Sequence, residues 1–189
     1  MQKILLIGLL ILLSSCATKL YRDTPDGKFS GSLDVRWVKN DYFVFIPNEK
    51  EPLTFTRIDG TKIIPKIMYT DGGSIPRFLW GIKGFSPWGY APAYIVHDWL
   101  FEAQHCGYEP DNKFTFDDSV SLMAETMKAV MKKSPEVRSY FVFDSVVAAI
   151  GSPIAENLWV KGGCNRPIFN TQISPLDIQA GKLLMTIKY

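Results

Sequence analysis

Leu33-Asp34-Val35-Arg36-Trp37-Val38 alternates apolar with polar residues, turns at Asn40-Asp41, and returns as Tyr42-Phe43-Val44-Phe45-Ile46. A two-residue period is the mark of a strand with one buried face. Leu53-Thr54-Phe55-Thr56-Arg57-Ile58 alternates again, and Asp59-Gly60 supplies a hairpin turn into Lys62-Ile63-Ile64. The spacing predicts about four or five short antiparallel strands between residues 33 and 70. The period then changes. After a segment rich in glycine, proline and aromatics from Thr70 to Pro92, Ala93 to Gln104 sets Tyr94, His97, Asp98 and Phe101 on one helix face, at i, i+3, i+4 and i+7. Phe116, Val120, Met123, Met127 and Val130 make the apolar stripe of a second helix, and Pro135 opens a third that ends at Gly151. Leu183 to Ile187 reads as a last strand. The expected fold is α+β, an antiparallel sheet followed by a layer of three helices, with the Met and Phe stripes as core.

The N-terminus reads differently. Lys3 precedes a run from Ile4 to Leu13 that is apolar apart from Gly8. The run is too short to cross a bilayer as a helix, which takes roughly 20 residues, and it has the flanks of a removable export signal. Leu13-Ser14-Ser15-Cys16 resembles the bacterial lipobox. The resemblance implies cleavage of residues 1–15 and a diacylglycerol on Cys16, with the membrane as partner through that lipid. Position 17 is Ala and not Asp, which in an enterobacterial host favours the outer membrane, with the protein facing the periplasm. Residues 16–31, polar and holding Thr24-Pro25-Asp26-Gly27, read as a lipidated tether. Residues 32–189 read as a single domain of ample size for its own core.

Charge excludes one class of partner. The whole chain carries a net charge of +2, and losing Lys3 with the signal leaves about +1. Nucleic acid demands a concentrated basic face. Lys128, Lys132 and Lys133 do cluster, and at the end of a helix they are expected to form a solvated face that suits the dipole. Cys106 and Cys164 remain once Cys16 is acylated. An exported chain meets an oxidising compartment, so a Cys106–Cys164 disulfide is the simplest expectation, with two buried free thiols as the alternative.

Histidine is scarce, which narrows the chemistry. Only His97 and His105 exist. No histidine precedes His97, as a metal-dependent His-Asp phosphohydrolase requires. No pair stands four apart on a helix as in a zincin, and there is neither a Gly-x-Ser-x-Gly elbow nor a phosphate-binding glycine loop. Three pieces remain. Thr70-Asp71-Gly72-Gly73-Ser74-Ile75-Pro76 offers a tight loop with a carboxylate and exposed carbonyls, donors suited to Ca²⁺. His97-Asp98 puts an imidazole beside a carboxylate. Asp117-Asp118 opens the next helix and is able to orient an imidazole.

Thr-Asp-x-x-Ser-Ile-Pro followed by His-Asp-x-Leu resembles the domain-of-unknown-function 1353 family of bacteria and their phages, over roughly residues 33–130. A fainter similarity is to secreted phospholipase A2 of the bacterial and fungal type. It rests on Asp71-Gly72-Gly73-Ser74, Pro92-Ala93, His97-Asp98 and Asp118, the last 21 residues after His97. That similarity implies a catalytic His97–Asp118 dyad, with Ca²⁺ held by Asp71 and Asp98 to polarise an ester. Gly73 replaces the family's cysteine and Phe101 its tyrosine. Each piece also has a structural reading: a turn at Asp71, a buried polar pair at His97-Asp98, and a helix cap from Thr115 and Asp118. Two functions follow. One is a lipid-anchored binding or exclusion protein, with Phe85-Ser86-Pro87-Trp88-Gly89-Tyr90 as its contact surface for an envelope protein. The other is a Ca²⁺-dependent hydrolase acting on phospholipid.

Overall fold

The computed structural model describes residues 19–38, 42–70, 88–164 and 175–189. In chain order they form β1 (Gly27–Ser30), β2 (Ser32–Val38), β3 (Tyr42–Pro47), β4 (Thr54–Arg57), β5 (Lys62–Ile63) and β6 (Met68–Thr70). The helices α1 (Ala91–Cys106), α2 (Phe116–Lys133), α3 (Tyr140–Ile150), α4 (Pro153–Lys161) and α5 (Pro175–Ala180) follow, and β7 (Lys182–Lys188) ends the order. The fold is α+β.

The strands divide between two antiparallel sheets, ordered β1-β4-β5 and β6-β3-β2-β7, where one sheet is expected from the sequence. Gly31 makes the division possible. It has a φ of 78°, and a Cβ there would lie 2.1 Å from the Pro52 carbonyl oxygen, so only glycine passes between β1 and β2 at this point. In the larger sheet Leu33 and Val35 face the core opposite Pro47 and Phe45. The ladder between β2 and β7 shifts register between Val35 and Arg36. Trp37 ends up 43 % exposed, while Val38 is buried on the other face with Val44 and Ile178 of α5.

The packed part of the chain reaches further back than residue 32. Residues 27–30 are a strand, not tether: Phe29 pairs with Phe55 in register, and its ring lies 5.0 Å from Phe55 and 4.9 Å from Tyr189. Residues 19–23 form a short helix whose Tyr21 packs edge-on against Tyr140 and Phe143. Single aromatics in polar surroundings leave no periodic signal. The basic cluster also differs from expectation. Lys128 is 8 % exposed, and its ammonium donates to the carbonyls of Thr24 and Arg22 and pairs with Asp26 at 3.2 Å. Lys132 reaches Asp26 at 3.0 Å. These lysines hold the N-terminal segment onto α2.

Among the described residues two large apolar clusters make most of the core. One joins both sheets to α1 through Leu33, Phe55, Ile63, Val96, Trp99 and Leu100. The other lies between helices, around Tyr94, Met123, Met127, Met131 and Phe143. The helical layer exceeds the three expected helices because Ser152 caps α4, accepting a hydrogen bond from the Ala155 N–H, and Pro153 fits its first turn. Among the described residues no single helix is long and apolar enough to cross a membrane.

Candidate functional site

Pro92 fits the first turn of α1, and Gly107, in the left-handed region at φ 68°, ends it. The face carrying residues 94, 97, 98 and 101 turns toward the other helices. Tyr94 is 8 % exposed and His97 9 %. Among the described residues neither the Tyr94 hydroxyl nor the His97 Nε2 finds a hydrogen-bond partner, although both atoms are buried. Burial pushes the Tyr94 phenol above its ordinary range, and the nearby Tyr90 and Asp98 add to the shift. His97 Nδ1 lies 3.9 Å from the Asp98 carboxylate, which keeps a third of its side chain exposed. These two buried polar atoms and a partly open carboxylate therefore share three nearby positions of one helix.

The remainder of that face is aromatic. The Phe101 ring lies 5.0 Å from that of His97 and meets Trp159 of α4 edge-on at 4.9 Å. His105 is in the last turn of α1, and its Nε2 lies 3.0 Å from the Trp159 carbonyl oxygen. Cys106 and Cys164 are joined as a disulfide, so α1 and the chain beyond α4 are tied together.

Asp118 is engaged elsewhere. Its carboxylate accepts from the Thr115 N–H at 2.9 Å and from the Thr115 hydroxyl at 2.7 Å, while the Asp118 N–H donates back to that hydroxyl: a capping box. The Thr115 hydrogen bonds, side chain first, hold the Asp118 carboxyl below the usual range, with a smaller contribution from Arg57. A depressed carboxyl pKa means that the cap's contribution is in place above the unfolded value and disappears as pH falls through the folded one. No hydrogen bond or ion pair joins Asp118 to His97 among the described residues. The connection between the helices explains the offset. Asp111 is buried and accepts from Trp99 Nε1 at 2.7 Å, while Tyr108 stacks on Trp99. This pins the linker to the opposite side of α1 from His97.

Asp71 and Cys16 lie outside the described residues, as do Phe85, Ser86 and Pro87. Among the described residues no group of three or more His, Cys, Asp or Glu side chains is placed to hold a metal ion. Of the expected Ca²⁺ ligands only Asp98 is described, and the described residues do not by themselves fit that cation. Of the proposed contact surface, Tyr90 is fully buried and donates to the Val137 carbonyl, with burial raising its phenol to about 12. Trp88 packs edge-on to Phe43.

Sequence reading missed Tyr94 as more than core and missed the Arg57–Glu125 pair. Arg57 donates through Nε at 3.0 Å and through its terminal nitrogen at 2.7 Å to a carboxylate that is 1 % exposed. Its signal was parity: Arg57 shares the inward phase of Phe55, and Glu125 falls between Met123 and Met127.

A buried polar atom without a partner costs about 1–3 kcal/mol. Tyr94→Phe and His97→Leu are accordingly expected to leave stability unchanged or to raise it by about 1–2 kcal/mol each, read from urea unfolding midpoints. A loss above about 1 kcal/mol in both would mean that these groups serve the fold.

Neither the curated proteins nor the solved structures compared with this chain give a match. The family model described as Protein of unknown function (DUF1353) matches residues 50–145, from just before β4 into α3. The matched half of the chain contains Tyr94, His97, Asp98, Asp118 and the Arg57–Glu125 pair, and starts and ends later than the resemblance in the sequence suggests. This chain belongs to the DUF1353 family.

Proposed function

We propose that this chain is an exported lipoprotein of the bacterial envelope, held in the membrane through a diacylglycerol on Cys16. Its domain then binds a small polar group at Tyr94, His97 and Asp98. The observation that carries the envelope reading is the Cys106–Cys164 bond. Disulfides persist in oxidising compartments, and a chain that opens with an export signal and Leu13-Ser14-Ser15-Cys16 is headed for one. Ala17 in place of Asp supports the outer membrane as its destination, with the domain in the periplasm.

Binding is favoured over hydrolysis for a geometric reason. A dyad on the phospholipase pattern needs a carboxylate to orient His97. Asp118 is committed to Thr115, and Asp98 stands at 3.9 Å. What α1 does offer is a buried hydroxyl and a buried imidazole nitrogen, both without a partner among the described residues, beside a carboxylate, a set suited to a polar ligand.

Anchoring is tested by growing cells with labelled fatty acid. The wild-type chain is expected to take up label and to lose residues 1–15, whereas Cys16→Ser takes up none and accumulates as precursor. Normal processing of Cys16→Ser would overturn the reading.

A further inference from the structure

A pocket lies where the N-terminal segment packs against the end of α2 and the start of α3. It has a volume of about 490 Å³ and is lined by Tyr21, Arg22, Asp26, Lys128, Lys132, Arg138 and Tyr140. That volume is within the roughly 300–1,000 Å³ range of small-ligand sites. Four cations share a single carboxylate among these lining residues. Asp26 is already paired with Lys128 and Lys132. Arg138 spends one N–H on the Met131 carbonyl and has no carboxylate partner among the described residues, and Arg22 is exposed. The arrangement is built, not incidental: the buried Lys128 is fixed by the Thr24 and Arg22 carbonyls and lies 5.4 Å from the Tyr21 ring centroid.

Position narrows what this excess of positive charge meets. Tyr21 is five residues from Cys16, and five residues span at most about 17 Å. On the anchoring reading, on which this inference rests, Tyr21 at the pocket's edge stays within that reach of the membrane surface.

We propose that this pocket binds the phosphate of an anionic phospholipid headgroup, with Arg22, Lys132 and Arg138 as the recognising cations and Lys128 as their fixed support. Arginine forks match phosphate oxygens in pairs, and basic side chains close to an anionic leaflet are drawn to it. Headgroup capture would set the domain's orientation on the membrane, so that a lipid tail alone need not.

The test is lysine labelling read by mass spectrometry. The acylated protein, purified with its own leader processed, is placed in vesicles of phosphatidylcholine alone or with phosphatidylglycerol added. Labelling of Lys132 is expected to fall about fivefold with phosphatidylglycerol, while the exposed Lys50 stays constant. Arg22→Gln with Arg138→Gln should abolish the difference, and Arg22→Gln alone should reduce it if the double variant misfolds. Equal labelling in both vesicles, protection retained in a folded variant, or equal protection by inorganic phosphate over phosphatidylcholine would each overturn the proposal. The last outcome would make the pocket a soluble-anion site. The N-terminal peptide's mass, from the same samples, reports separately whether Cys16 is acylated.

Discussion

Arg57→Ala is expected to destabilise the protein by about 3–5 kcal/mol, because it strands a carboxylate in the core. Glu125 lies within α2 with 1 % of its side chain exposed, and both its oxygens accept from the one guanidinium. The pair bridges the smaller sheet to the helical layer, and hydrogen bonding to Glu125 is the leading cause of the raised Arg57 pKa. The loss comes from the unpaired charge and not from a large intrinsic value of the ion pair. Arg57→Met with Glu125→Leu should therefore lie within about 1–2 kcal/mol of the parent. Arg57→Lys should fall between, since an ammonium lacks the two-pronged geometry. Urea unfolding of the variants reads this directly. If Arg57→Ala costs under about 1 kcal/mol, water reaches Glu125 and the bridge is peripheral.

What could be read from the sequence was whatever repeats. The alternation of β2, β3 and β4 and the apolar stripes of α1 and α2 carry their periods openly, so the α+β order was legible. Thr115 and Asp118 were legible too, as a capping box, because a cap is a local pattern. The division into two sheets was not. It depends on how closely Gly31 approaches Pro52, a contact between residues far apart in sequence. For the same reason Lys128 seemed solvated: its partners, at Thr24 and Asp26, are a hundred residues away. The candidate site was legible in part. A rare histidine beside an aspartate draws attention to α1, yet the pairing of His97 with Asp118 rests on the phospholipase resemblance and not on any local pattern. Asp111, bound to Trp99, sets the path between the two helices, and nothing periodic marks it.

Replacing both Cys106 and Cys164 by alanine is expected to cost about 4 kcal/mol, with about 2–5 as the range for such bonds. The bond closes a loop over a sequence separation of 58, and the cost is chiefly the freedom an unfolded chain of that length regains. Two signs should accompany the loss. The urea m-value should rise, because an unfolded chain without the cross-link exposes more surface. The folded state should change little, since Phe101 and His105 still hold Trp159 against α1 through ring packing and the carbonyl contact. Circular dichroism of the native variant is therefore expected to match the parent while its midpoint falls. Protein taken from the periplasm without reductant should give a Cys106–Cys164 linked peptide. A difference below about 1 kcal/mol with an unchanged m-value would mean that the bond does not constrain the unfolded chain. Freely alkylated thiols in that material would remove the observation on which the envelope reading rests.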